Sequence, residues 1–149
     1  MATKQSTEIA AGINARAVHV GINVAKGTYN AGGATLSASD TIQMVKVPHG
    51  AVILDWVLAG TCPLSSVLQL QVGDDGDDDR FGEASISATA ALVRMSGAGA
   101  ATNGLGYQYS VSADADQRWD TIDLTVAAAG TATTTCSLVL MVTYYMAPA

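Results

Sequence analysis

The sequence predicts an all-β fold, a single-domain β-sandwich or jelly roll with an extended N-terminal arm. Three observations lead there. Apolar and polar residues alternate over short runs, which is the period of a half-buried strand. About eight such runs recur at spacings of roughly 8–20 residues, separated by Gly, Ser, Ala and Asp. No amphipathic helix stands between them to make the crossovers that a parallel sheet needs.

Residues 1–16 are polar, Ala-rich and without a strong period. They read as a flexible or partner-bound arm, and residues 17–149 as the sandwich body. Within the arm, Thr7 is placed to cap a short helix through Glu8, Ile9, Ala10 and Ala11, although Gly12 and Asn14 oppose a longer one. Ala17–Ala25 then alternates, with Val18, Val20, Ile22 and Val24 on one face and His19, Gly21 and Asn23 on the other. Lys26–Asp40 reads as a long loop, broken by Gly27, Gly32 and Gly33.

Thr41–Val47 is the next strand. Ile42 and Met44 share a face before Val45 and Val47 change parity, which predicts a bulge or a passage between two layers. Pro48, His49 and Gly50 turn the chain. Ala51–Ala59 is apolar on both faces except at Asp55, as expected of a strand covered on both sides. Val67–Val72 alternates Leu68, Leu70 and Val72 against Gln69 and Gln71. It runs into a Gly-bracketed loop, Gly73–Glu83, with six of the thirteen acidic residues of the chain. Ala84–Met95 reads as extended, with Ile86, Ala88, Ala90 and Leu92 alternating.

Ser96–Gly106 has the composition of a mobile loop. Tyr107, Tyr109 and Val111 alternate as a strand. Ser112–Trp119 is a polar turn. Ile122, Leu124 and Val126 alternate with Thr121, Asp123 and Thr125. Cys136–Met146 is a long final strand, apolar on both faces.

The 149 residues suit one domain, and a chain of that size buries enough surface to fold without staples. Charged residues are 13%, about half of the usual ~25%, so partners are expected to cover much of the surface. The net charge of −6 disfavours direct contact with nucleic acid, which needs a basic face. No run of about 18 apolar residues exists to cross a membrane as a helix. Met1–Glu8 lacks the apolar stretch of a signal peptide, so synthesis in a cytoplasm is expected. Cys62 and Cys136 then read as buried free thiols, with a disulfide formed late in an extracellular particle as the alternative.

The sequence points to no catalytic, cofactor-binding or metal residues. Asp75, Asp77 and Asp79 have the D-x-D-x-D spacing of a calcium loop. The twelfth position, where an EF-hand needs a bidentate acid, is Ile86. A looser calcium turn through Glu83 stays open beside a plain solvated hairpin spanning Asp74–Asp79, in which Arg80 is the local counter-charge. His19 and His49 stand alone, without a metal spacing. No G-x-S-x-G elbow occurs. Gly97, Gly99, Gly104 and Gly106 do not join a strand to a helix and so form no phosphate loop. Trp56 lies in the most apolar strand and reads as core. Trp119, between Arg118 and Asp120, is the best exposed aromatic; it reads as packing against a partner, with stacking on a sugar together with Tyr107, Tyr109, Tyr144 and Tyr145 as the alternative.

Three stretches resemble small proteins encoded among the head genes of tailed bacteriophages. They are Ser39–Leu54, Val72–Phe81, and Thr121–Val126 with the terminal Tyr144-Tyr145 strand. The pattern, over roughly residues 36–146, is similar to that of capsid decoration, or cement, proteins. The resemblance implies a sandwich that sits on the outside of an assembled phage head, made in the host cytoplasm, often as a homotrimer at three-fold positions. The partners it implies are the major capsid protein and sister copies, with neither nucleic acid nor membrane. It implies no enzyme and carries over no site residue. The competing classes are a head-fibre, neck or tail component and a carbohydrate- or receptor-binding β module.

Overall fold

The computed structural model describes residues 3–10, 21–62, 68–87, 91–94, 119–128 and 135–146. Nine strands and one helical turn lie among them: β1 (Thr3–Gln5), α1 (Thr7–Ala10), β2 (Ile22–Asn30), β3 (Thr41–Pro48), β4 (Ala51–Thr61), β5 (Leu68–Asp74), β6 (Asp77–Ile86), β7 (Ala91–Arg94), β8 (Trp119–Ala128) and β9 (Ser137–Met146). They form a five-stranded sheet in the order β1-β3-β8-β5-β6 and a four-stranded sheet in the order β2-β9-β4-β7. The expected all-β sandwich is what the chain forms.

Alternation builds the core. Ile42, Leu70, Val72, Ile122 and Leu124 come from the five-stranded sheet, and Trp56, Leu58, Leu140, Val142 and Tyr144 from the other. All are buried in one cluster. The Trp56 ring crosses that core, and its Nε1–H donates to the Phe81 carbonyl at 2.9 Å. The one polar atom of the ring is therefore satisfied in an apolar setting.

The parity slip in β3 is a bulge. Gln43 pairs with Asp123, and Val45 pairs with Ile122, so Met44 has no partner across the ladder. Tertiary packing overrides two readings of local composition. Lys26–Asn30 belongs to β2 and not to a loop, paired with β9 from Ile22↔Tyr145 to Asn30↔Ser137. Gly27 does not break that strand. A Cβ there would strike the backbone carbonyl of Met44, so β2 lies against β3 only because position 27 has no side chain. The acidic stretch is also not a long loop. Only Asp75 and Gly76 turn, and β6 begins at Asp77. Asp74 holds that turn by accepting from the N–H groups of Gly76 and Asp77 at 2.9 and 3.0 Å.

Residues 3–10 lie along the sandwich. β1 pairs parallel to β3, Thr3↔Thr41 through Gln5↔Gln43. Lys4 reaches Asp40 at 2.6 Å. The cap of the helical turn is Ser6, one residue before the Thr7 that the sequence favoured. Its buried hydroxyl accepts from the Ile9 N–H at 3.2 Å and donates to the Met44 carbonyl at 2.6 Å. That carbonyl lies at the β3 bulge.

The two cysteines are joined. Thr61 pairs with Ser137 at the end of the β4–β9 ladder. The next residues outward, Cys62 and Cys136, face each other with Cα atoms 4.3 Å apart and form a disulfide. The reading as free thiols is thereby corrected. Its cause is a pairing of β4 with β9 across 74 residues that no local pattern reveals.

Candidate interaction surfaces

The outer face of the four-stranded sheet is apolar. On β2 it shows Ile22, Val24, Lys26 and Thr28, and on β9 Val139, Met141, Thr143 and Tyr145. Val57 and Ala59 of β4 continue it, paired across to Arg94 and Leu92 of β7. An antiparallel sheet with one solvated face ordinarily alternates apolar-in and polar-out. Here both faces are apolar. The exposed large hydrophobics among the described residues are Ile22 (72%), Val24 (62%), Leu92 (62%) and Tyr145 (37%), all on this sheet. Among the described residues, the charged ones on this face are Lys26, Arg94 and Asp55.

The opposite character marks the β5–β6 end of the five-stranded sheet. Asp75, Asp77, Asp78, Asp79 and Glu83 are exposed around the hairpin. Asp74 is buried beneath them and holds the Arg80 guanidinium, with Nε–Oδ2 at 2.6 Å. A hydrogen bond with Asp77 raises the Asp79 carboxyl above its ordinary range. Asp120 and Asp123 of β8 lie near this end. Burial raises both, and the charges of Asp74 and Asp75 add to it. Asp123 is pushed up to about 7, chiefly by burial, although a hydrogen bond from Thr121 works the other way. No three His, Cys, Asp or Glu side chains among the described residues come close enough to hold an ion by themselves.

His49 is exposed in the β3–β4 turn. Trp56 is core, as expected. Trp119 opens β8 and pairs with Pro48, so it is a half-buried strand residue and not the exposed turn residue read from its neighbours. Tyr144 points into the core and Tyr145 outward, so adjacent tyrosines occupy opposite faces. His19, Tyr107, Tyr109, Arg118 and the four glycines between 97 and 106 lie outside the described residues. The structure therefore assembles no aromatic platform among the described residues. It brings together instead Asp123 and the β5–β6 hairpin, a juxtaposition that sequence spacing could not show. No helix among the described residues is long and apolar enough to cross a membrane.

These sheets define a β-sandwich protein with one core and an apolar outer face. No family model matches the chain, and no curated protein matches it. Its fold is shared with chains of two solved phage particles. A chain of the capsid of Ralstonia phage GP4 superposes with a TM-score of 0.74 at 18% identity, covering 99% of this chain and 100% of that one. A chain of the cyanophage Pam1 capsid asymmetric unit gives 0.64 at 20% identity, over 89% of each.

Proposed function

We propose that the protein is a structural component of a tailed-phage virion, a decoration protein that binds the outside of the assembled head and stabilises it. The observation that carries this reading is the end-to-end likeness of fold to a chain of the GP4 capsid, with no unmatched domain on either side. The apolar outer face supports it, because a sheet that is apolar on both sides needs a cover. Its partners on this reading are the major capsid protein and sister copies in a homotrimer. The mechanism is mass action. A protein that binds the closed shell and not its separate subunits stabilises the shell, and symmetry repeats each modest contact many times. The reading includes no catalysis.

The test is the copy number of this chain in purified virions, measured by quantitative mass spectrometry against the major capsid protein. A ratio near one to one is the expected result. A handful of copies per particle would move the protein to a vertex, neck or tail, and absence from the particle would overturn the virion reading.

A further inference from the structure

Asp123 is a strand residue with an unusual position. It alternates with Ile122 and Leu124, so it leaves the five-stranded sheet on the face away from the core, yet it is only 3% exposed. Its Oδ1 is buried and has no hydrogen-bond partner. An unpaired oxygen of a buried carboxylate is costly and calls for a physical reason.

The surroundings supply one. Asp123 pairs across the ladder with Gly73. Paired residues project on the same face, so the carboxylate stands beside the spot that a side chain at position 73 would fill. That spot is taken by backbone. A Cβ on Gly73 would strike the carbonyl oxygens of Asp77 and Asp78. They lie there because β6 bulges: Asp74 pairs with Asp77, but Val72 pairs with Gly82, leaving extra residues to fold back over the strand. The Asp78 carboxylate reaches the same face and accepts from the Thr125 hydroxyl at 3.3 Å. Thr125 is two residues along β8 from Asp123. Asp75, Asp120 and Asp74 add negative charge from both sides. Of the bases described near this face, Arg80 is already held by Asp74, and Lys46 of β3 pairs across the ladder with Thr121, two residues from Asp123.

The Asp77 and Asp78 carbonyls thus lie at the Gly73 position beside Asp123, with the Asp78 carboxylate and the Thr125 hydroxyl next to them opposite Gln71, an excess of negative charge and one carboxylate oxygen unpaired. We propose that this cradle binds a calcium ion, with Asp123 as the buried ligand, the carbonyls of Asp77 and Asp78 beside it, and the Asp78 carboxylate at its mouth. Oxygen-only ligands with backbone carbonyls suit calcium, which accepts irregular shells of 6–8 oxygens. Magnesium fits less well, because it demands a tight octahedron and keeps most of its water. The site differs from a D-x-D-x-D loop, since its central ligand comes from β8. It is independent of the virion reading.

The test is titration of calcium chloride into the full chain at pH 8, by calorimetry and by thermal melting. One ion per chain is expected. The melting midpoint should rise by roughly 5–10 °C at a hundredfold excess over the dissociation constant and return with EGTA. Magnesium should give a smaller rise. Asp123→Asn should abolish the heat and the shift. If that variant does not fold, Asp78→Asn, an exposed change, should weaken binding several-fold. No calcium heat would overturn the site. So would an equal rise in sodium chloride of the same ionic strength, which would mean screening alone. Undiminished binding by the variants would overturn it too.

Discussion

Asp123 and Ser6 show how single side chains decide energies in this fold. Burial raises the Asp123 carboxyl from 3.8 to about 7. The folded state then holds its proton more tightly than the unfolded chain. The stability linked to this group is fully present below about pH 4, falls as pH rises towards 7, and changes little beyond. The span is of the order of 4 kcal/mol at 1.36 kcal/mol per unit. In EGTA, Asp123→Asn should therefore raise the melting temperature at pH 8 and flatten the pH profile between 4 and 7. A profile as steep as wild type would show that another group titrates there. Ser6→Ala removes a buried donor to the Met44 carbonyl and the cap of α1 together. It should cost about 1–2 kcal/mol in urea unfolding. At this scale the sequence was uneven. Trp56 was legible as core because its whole neighbourhood is apolar. Ser6 was missed because Thr7 is an equally good cap, and only the position of the bulged β3 chooses between them. Trp119 was misjudged from charged neighbours that say nothing of its Pro48 partner.

Among the elements, period-2 alternation locates β3, β5 and β8 to within a few residues, runs apolar on both faces locate β4 and β9, and the parity slip locates the bulge in β3. Glycine caused the two main errors. Gly27 reads as a breaker until β3 is laid against it, and the Gly-rich acidic stretch reads as a loop until the Asp74 carboxylate is seen fastening a turn of only Asp75 and Gly76. Long-range pairing was not legible at all, since alternation gives strands but not their neighbours. The Cys62–Cys136 bridge follows from that hidden pairing. It closes a loop across 74 residues, which in the chain-entropy account contributes about 4 kcal/mol. Cys62→Ala with Cys136→Ala should therefore lower the melting temperature by about 10 °C. Reductant should shift wild type in the same direction and leave the double variant unmoved. Equal melting of the two proteins, with and without reductant, would show that the bridge contributes nothing.

At the scale of the whole molecule, the two sheets divide the surface by chemistry. The carboxylates of the β5–β6 hairpin and of β8 crowd one end of the five-stranded sheet, while the exposed large hydrophobics among the described residues lie on the four-stranded one with Lys26 and Arg94 among them. A chain with net charge −6 thus presents an apolar face that carries, among the described residues, two bases and one acid, Asp55. On the decoration reading this face meets the partner, and the acidic end points away from it. Val24 lies on β2 and Leu92 on β7, the two edge strands of that sheet, and each is 62% exposed, so neither supports the core. Val24→Asp with Leu92→Asp should cost no more than about 1–2 kcal/mol of folding stability, the range of strand propensity at two sites. It should nevertheless weaken binding to heads that lack the protein at least tenfold, because two carboxylates must be desolvated in an apolar contact. Co-sedimentation of the purified variant with such heads measures the binding, and a urea melt of the same sample measures the fold. Wild-type loading by the double variant would take this face out of the contact and turn attention to residues 1–16, whose described part pairs with β3 on the other sheet. Deletion of residues 1–16 tests that second surface, with a urea melt of the same sample to show whether the sandwich still folds without α1, which packs on β2 and β3 and carries the buried Ile9.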